Sequence, residues 1–118
     1  MARLKVSVVS DSGARIGPGK LKLLEAVLAS GSISAAARDM GMSYKRAWVL
    51  LDSINQAFEE PVIAGAPGGK HGGGATLTPF GVTLLYRVRR IETAAMAAVR
   101  RDVASLESRA RKNVGPRV

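Results

Sequence analysis

The chain of 118 residues has no cysteine, which removes disulfides, thiolate metal sites, iron–sulfur clusters and thiol nucleophiles together. It has one histidine, His71, so His-rich metal sites and catalysis by paired imidazoles are also excluded. Aromatic residues make up only 4%, while apolar residues reach 47%, so a core must be built from aliphatic side chains. Long hydrophobic runs are missing as well. The uncharged stretches 26–37 and 71–86 fall short of the roughly 18 apolar residues needed to span a bilayer, and both contain polar or Gly/Pro breaks. The apolar run near the N-terminus is too short for a signal peptide, which makes the cytoplasm the expected location. Acidic residues are scarce: nine Asp and Glu against eighteen Lys and Arg leave a net charge of +9. So basic a small domain points to a polyanionic partner, nucleic acid first and an anionic membrane second, with a merely soluble basic surface as the plain alternative.

Hydrophobic periodicity and punctuation order what is present. Leu4, Val6 and Val8 alternate with polar residues and predict an N-terminal strand with one buried face. A helix is expected from Pro18 to Ser30, with Leu21, Leu24, Val27 and Leu28 on one face and Gly31 as its stop. Ser34 is expected to cap a short second helix containing Ala35, Ala36 and Ala37, and Gly41 to turn the chain. Ser43 then caps a third helix, from Tyr44 to Phe58, whose apolar face is Ala47, Leu51, Ile54 and Phe58. Val62–Ala64 and Ala75–Thr78 predict a hairpin around a glycine-rich, cationic tip that holds Lys70 and His71. Thr78 and Pro79 open a long last helix that runs to about Arg109. Leu84, Val88, Ile91 and Ala95, then Val99, Val103 and Leu106, form a near-heptad stripe on it, longer than one small domain needs to cover itself. That length favours a seam between subunits over an intramolecular core.

The order of elements is that of an α+β, mainly helical, winged helix-turn-helix domain over residues 1–110, followed by a flexible basic tail over residues 111–118. In this arrangement the second helix of the motif enters the major groove with its first turn. It therefore needs polar or cationic side chains there, and Tyr44, Lys45, Arg46 and Trp48 supply them. Ser43 and the helix start can hold a phosphate, Ser34 and Arg38 can do the same one helix earlier, and Lys70 and His71 can reach along the backbone from the wing.

The stretch from Ser32 to Ser43, with its Ser-Ala-Ala-Ala-Arg-Asp-Met-Gly core, resembles the helix-turn-helix of LysR-type regulators. Ser43-Tyr44-Lys45-Arg46-Ala47-Trp48, followed by Gly68-Gly69-Lys70-His71 and by Leu77-Thr78-Pro79-Phe80-Gly81, is similar to the DNA-binding domain of the molybdate-responsive ModE regulators. The resemblance covers the chain from about Pro18 into the last helix. It implies a homodimer paired through the first strand and last helix, a palindromic operator, and DNA contact by Ser43, Tyr44, Lys45 and Trp48; Arg46 stands where the family varies. Members of that family sense molybdate through a C-terminal region that has no counterpart in this chain. No cofactor is therefore expected here, and the effector site carries over to no residue.

Other readings remain beside this one. Tyr44 and Trp48 can be core aromatics, and Lys45 and Arg46 solvated charges. The glycine-rich segment can be a linker or an oxyanion cradle, but it departs from a nucleotide-binding loop, since Ala64 stands where the first glycine belongs and His71 follows Lys70. Catalysis is not expected. A protein-interaction module that pairs with a full-length regulator through its last helix is the alternative to direct DNA binding.

Overall fold

The computed structural model describes residues 2–65 and 74–112. Its elements run β1 (Val8–Val9), β2 (Arg15–Ile16), α1 (Pro18–Ser30), α2 (Ile33–Asp39), α3 (Tyr44–Ala57), β3 (Ile63–Gly65), β4 (Ala75–Leu77) and α4 (Pro79–Arg109). The winged helix-turn-helix order is therefore present, as α1, α2 and α3 followed by the antiparallel β3–β4 pair, in which Ile63 faces Leu77 and Gly65 faces Ala75.

The N-terminal strand is shorter than its alternation predicts. β1 pairs only as Val8 with Ile16 and Val9 with Arg15. Residues 2–7 form no ladder, and Leu4 and Val8 stay exposed, so the segment has no buried face. The reason lies downstream. Pro18, which has no backbone N–H to donate, already begins α1, so the return strand offers two residues and the ladder stops at Val8.

At the starts of α2, α3 and α4 a nearby hydroxyl accepts one of the free backbone N–H groups, whereas α1 starts at Gly17 and Pro18 without a side-chain cap. Ser32 Oγ accepts the Ala35 N–H at 3.2 Å, so Ser32, and not Ser34, caps α2. Ser34 lies inside the helix. The choice is tertiary: Ser32 is held extended by a bridge to Gly74, and the Ala75 N–H donates to the Gly31 carbonyl at 3.0 Å. Ser43 caps α3 by accepting the Arg46 N–H at 3.1 Å, and Thr78 caps α4 by accepting the Gly81 N–H at 2.9 Å. Between α2 and α3 the chain turns at Gly41, whose φ of 67° is the left-handed conformation that a side chain disfavours.

The core is aliphatic, as the composition requires. Leu21, Leu23, Leu24 and Val27 of α1 lie at its centre with Ile54 of α3 and Val62. Ala36, Ala37 and Ala47 are buried where α2 meets α3, and their small side chains let the two helices approach closely. Leu28, expected on the buried face of α1, is exposed, and Leu23 takes a place in the core instead. α3 ends one residue before Phe58, which adopts an extended conformation and packs edge-on against Phe80 of α4, with ring centroids 5.6 Å apart.

α4 is anchored at its first turns and then leaves the core. Gly81, Leu85 and Val88 are its buried residues. Gly81 lies so close to Val62 that an added Cβ would fall inside contact distance of the Val62 carbonyl oxygen and 3.2 Å from Leu77 Cβ. Farther along, Arg89 ties α4 to α1. Its guanidinium donates to both carboxylate oxygens of Glu25, with the Nε bond at 2.9 Å, and to Glu92 at 2.7 Å. The hydrogen bonds that Arg89 donates to Glu25 raise its pKa above the usual arginine range, against a smaller opposing effect of burial. The last helix is also not one uninterrupted rod: Val99 has φ −116° and ψ 16°, a kink inside α4.

Candidate nucleic-acid interface

The side chains expected to face DNA stand on the surface, grouped on the first turns of α3. Its buried stripe, Ala47, Leu51 and Ile54, fixes the helix's rotation against the core. At about 100° per residue, Lys45 and Val49 then point away from the core, Arg46 and Leu50 take one flank, and Tyr44 and Trp48 the other. Lys45 and Arg46 are exposed, as are Tyr44 and Trp48, each at 43%. The two aromatics are therefore surface residues, and the reading that places them in the core is corrected. Ser43, exposed at the helix start, keeps its hydroxyl on the Arg46 N–H.

Two of the remaining residues lie on α2. Arg38 is exposed in the last turn of α2 and Ser34 is half-buried in its first turn. Lys70 and His71 lie outside the described residues, as does the tail from residue 113 onward. Val49 was not legible as a surface contact, yet it is 55% exposed on the same outward face as Lys45. Its signal was its position four residues after Lys45, which puts a β-branched residue on the polar side of the helix.

The wing is fixed to this helix through one side chain. Asn55 Oδ1 accepts the Val62 N–H at 2.8 Å and the Ile63 N–H at 3.0 Å, and its Nδ2 donates to the Ile63 carbonyl at 3.2 Å. The Thr78 hydroxyl donates to the Pro61 carbonyl at 2.6 Å and closes the other side of the wing's root.

The stripe read as a dimer seam divides. Val88 is only 3% exposed and belongs to the chain's own core, and Leu84 is half-buried against it, so the start of the stripe is intramolecular. Ile91 at 43% and Leu106 at 71% are exposed, while Ala95, Val99 and Val103 are half-buried.

Among the described residues no three His, Cys, Asp or Glu side chains stand together as a metal site, and no helix is long and apolar enough to cross a membrane.

Comparison with known proteins agrees with this geometry. The model of bacterial regulatory helix-turn-helix proteins of the lysR family matches residues 18–82. The chain is 44% identical over 107 residues to the molybdenum-pterin-binding protein MopB of Rhodobacter capsulatus, covering 91% of this chain and 37% of that protein. It is 37% identical over 90 residues to the molybdenum transport protein ModE of Azotobacter vinelandii, covering 75% and 33%. It is 46% identical over 68 residues to the DNA-binding transcriptional dual regulator ModE of Escherichia coli K12, covering 58% and 26%. The chain thus spans about a third of the length of the curated relatives it matches. The family match extends over more than half of the chain, from the start of α1 through the wing to the start of α4, and the chain belongs to the bacterial regulatory helix-turn-helix proteins of the lysR family.

Proposed function

We propose that the chain is a DNA-binding regulator of transcription that reads a palindromic operator as a homodimer. The observation that carries this reading is the first half of α3, where Lys45, Arg46, Tyr44, Trp48 and Val49 are all exposed on one short helical surface while Ala47 and Leu51 seat the helix on the core. Cationic side chains there displace counterions from phosphates and give affinity. Those that reach base edges in the major groove give specificity.

The pairing half of the proposal rests on α4. Beyond Val88 it has no fully buried residue, yet it continues to Arg109, about 30 Å farther at 1.5 Å per residue. Ile91 and Leu106 on that extension are apolar and exposed, as a seam awaiting a second copy would be. Two-fold pairing makes the operator a palindrome with half-sites about one helical turn (~34 Å) apart or a multiple of it.

Three of the relatives carry names that tie those proteins to molybdenum binding or transport, or to DNA-binding regulation. The proposal for this chain is DNA recognition without oxyanion uptake by its 118 residues. Selection of bound sites from random duplex DNA tests the first part. Calorimetry with molybdate and tungstate tests the second, which a tight stoichiometric isotherm would overturn.

A further inference from the structure

We infer that the corner between β2 and α1 is a second binding site for the DNA backbone, a phosphodiester clamp on the flank of α3 away from the wing root. This rests on the DNA-binding reading above and adds Arg15 and Lys20, which lie outside the motif, to Arg46, which lies within it. A groove of about 330 Å³ opens beside α3. Three cationic side chains from three elements line it: Arg15 of β2, Lys20 of α1 and Arg46 of α3. No acidic residue lines it. Among the described residues the ion pairs both belong to Arg89, so none of these three cations is neutralised by a carboxylate.

Local bonds hold two of the cations at the groove. Lys20 Nζ donates to the Arg15 carbonyl at 3.3 Å, and the Arg15 guanidinium donates to Ser7 Oγ at 3.5 Å. Both retain further N–H donors for an incoming oxygen. Met40, Met42 and Leu50 supply the apolar side of the groove, which joins it without a break to the turn before α3 and to the Arg46 flank of that helix.

The placement matters more than the charge. Asn55 ties the wing root to α3 on the flank that Tyr44 and Trp48 share, whereas Arg46 and Leu50 face the groove on the other. A helix lying in the major groove has a phosphate backbone along each side. The wing lies towards one and the Arg15–Lys20 corner towards the other. Arg46 then bridges base edges and backbone, a role that a purely base-reading residue would not have.

The test is the salt dependence of binding to a selected operator and to an unrelated duplex. It uses the full chain, the variants Arg15→Gln, Lys20→Gln and their double, and Arg111→Gln as a control with one equal change in net charge at the far end of α4. Each phosphate contact contributes close to one unit to the slope of log affinity against log salt. The expected result is a slope smaller by about one in each single variant and about two in the double. Affinity should be lost by the same factor on both duplexes, and the control slope should not change. An unchanged slope in the double variant, with wild-type binding intact, overturns the clamp and leaves the DNA reading standing. Absence of wild-type binding overturns both. Phosphate ethylation interference on the wild type is independent of any variant's folding. Interference on both sides of the major groove supports the clamp, and interference on one side only contradicts it.

Discussion

Asn55 and Ile63 are joined by a two-way hydrogen bond: the side-chain Oδ1 accepts the Ile63 N–H at 3.0 Å and Nδ2 donates to the Ile63 carbonyl at 3.2 Å. Helix α3 and the strand that begins the wing are thereby joined through one side chain. Replacing Asn55 with Ala removes these bonds and the one to the Val62 N–H, leaving backbone groups without a partner near the core. The expected loss is about 1–3 kcal/mol of stability, read by urea unfolding. Asn55→Asp keeps the acceptor and loses the donor, so its loss should be smaller. Equal stability of all three proteins would contradict the clamp between helix and wing.

Gly81 should not tolerate a methyl group. A Cβ there meets the Val62 carbonyl and Leu77, both part of the wing's root, and neither is the free end of a flexible side chain. Gly81→Ala is expected to cost about 1–3 kcal/mol, with the wing strands displaced more than α1. Thermal unfolding and amide exchange of Ile63 and Leu77 measure the two effects.

Val49 is expected to act in specificity rather than affinity. An exposed β-branched side chain next to Lys45 suits contact with a thymine methyl group. Val49→Ser should weaken binding to a selected operator and leave binding to unrelated duplex unchanged. Competition assays with both duplexes separate these, and an equal loss on both would contradict the assignment.

Arg89 should matter little to overall stability and more to the angle of α4. The pair with Glu25 is about 40% exposed on each side, so solvent screens it and Arg89→Gln should cost about 1 kcal/mol or less. The raised Arg89 pKa means that this contribution is complete below arginine's ordinary range and lost only as pH rises beyond the raised value. Stability measured between pH 6 and 9 should therefore show no step from Arg89. The orientation of α4 on α1, followed by exchange of the α4 amides beyond Val88, should loosen in the variant.

Much of the fold was written in local signals. Pro18, Ser43, Gly41 and the Thr78–Pro79 pair mark their boundaries by conformational preference alone, and the structure uses each as read. The parts that escaped were decided by tertiary contacts. Ser32 and Ser34 are equally good caps in isolation, and the bridge from Ser32 to Gly74 selects the first. Leu84 and Leu85 are adjacent leucines, and only the docking of α4 buries the second. The seam expected along α4 steps regularly to Ala95 and restarts at Val99, where the helix is kinked, so its two halves do not share one straight face. In the candidate interface, Tyr44, Lys45, Arg46 and Trp48 were legible because a helix start after a turn is a surface position. The Arg15–Lys20–Arg46 groove was not, since it joins the β2–α1 corner to α3, which is distant from it in sequence.

The most direct test of the whole account is selection of bound sequences from random duplex DNA at near-physiological salt, with the salt slope recorded. The account predicts recovery of a palindrome whose half-sites lie about one helical turn (~34 Å) apart or a multiple of it, and a marked loss of that selectivity in Lys45→Ala. Weak, sequence-independent binding with a steep salt slope, unaffected by Lys45→Ala, would contradict it.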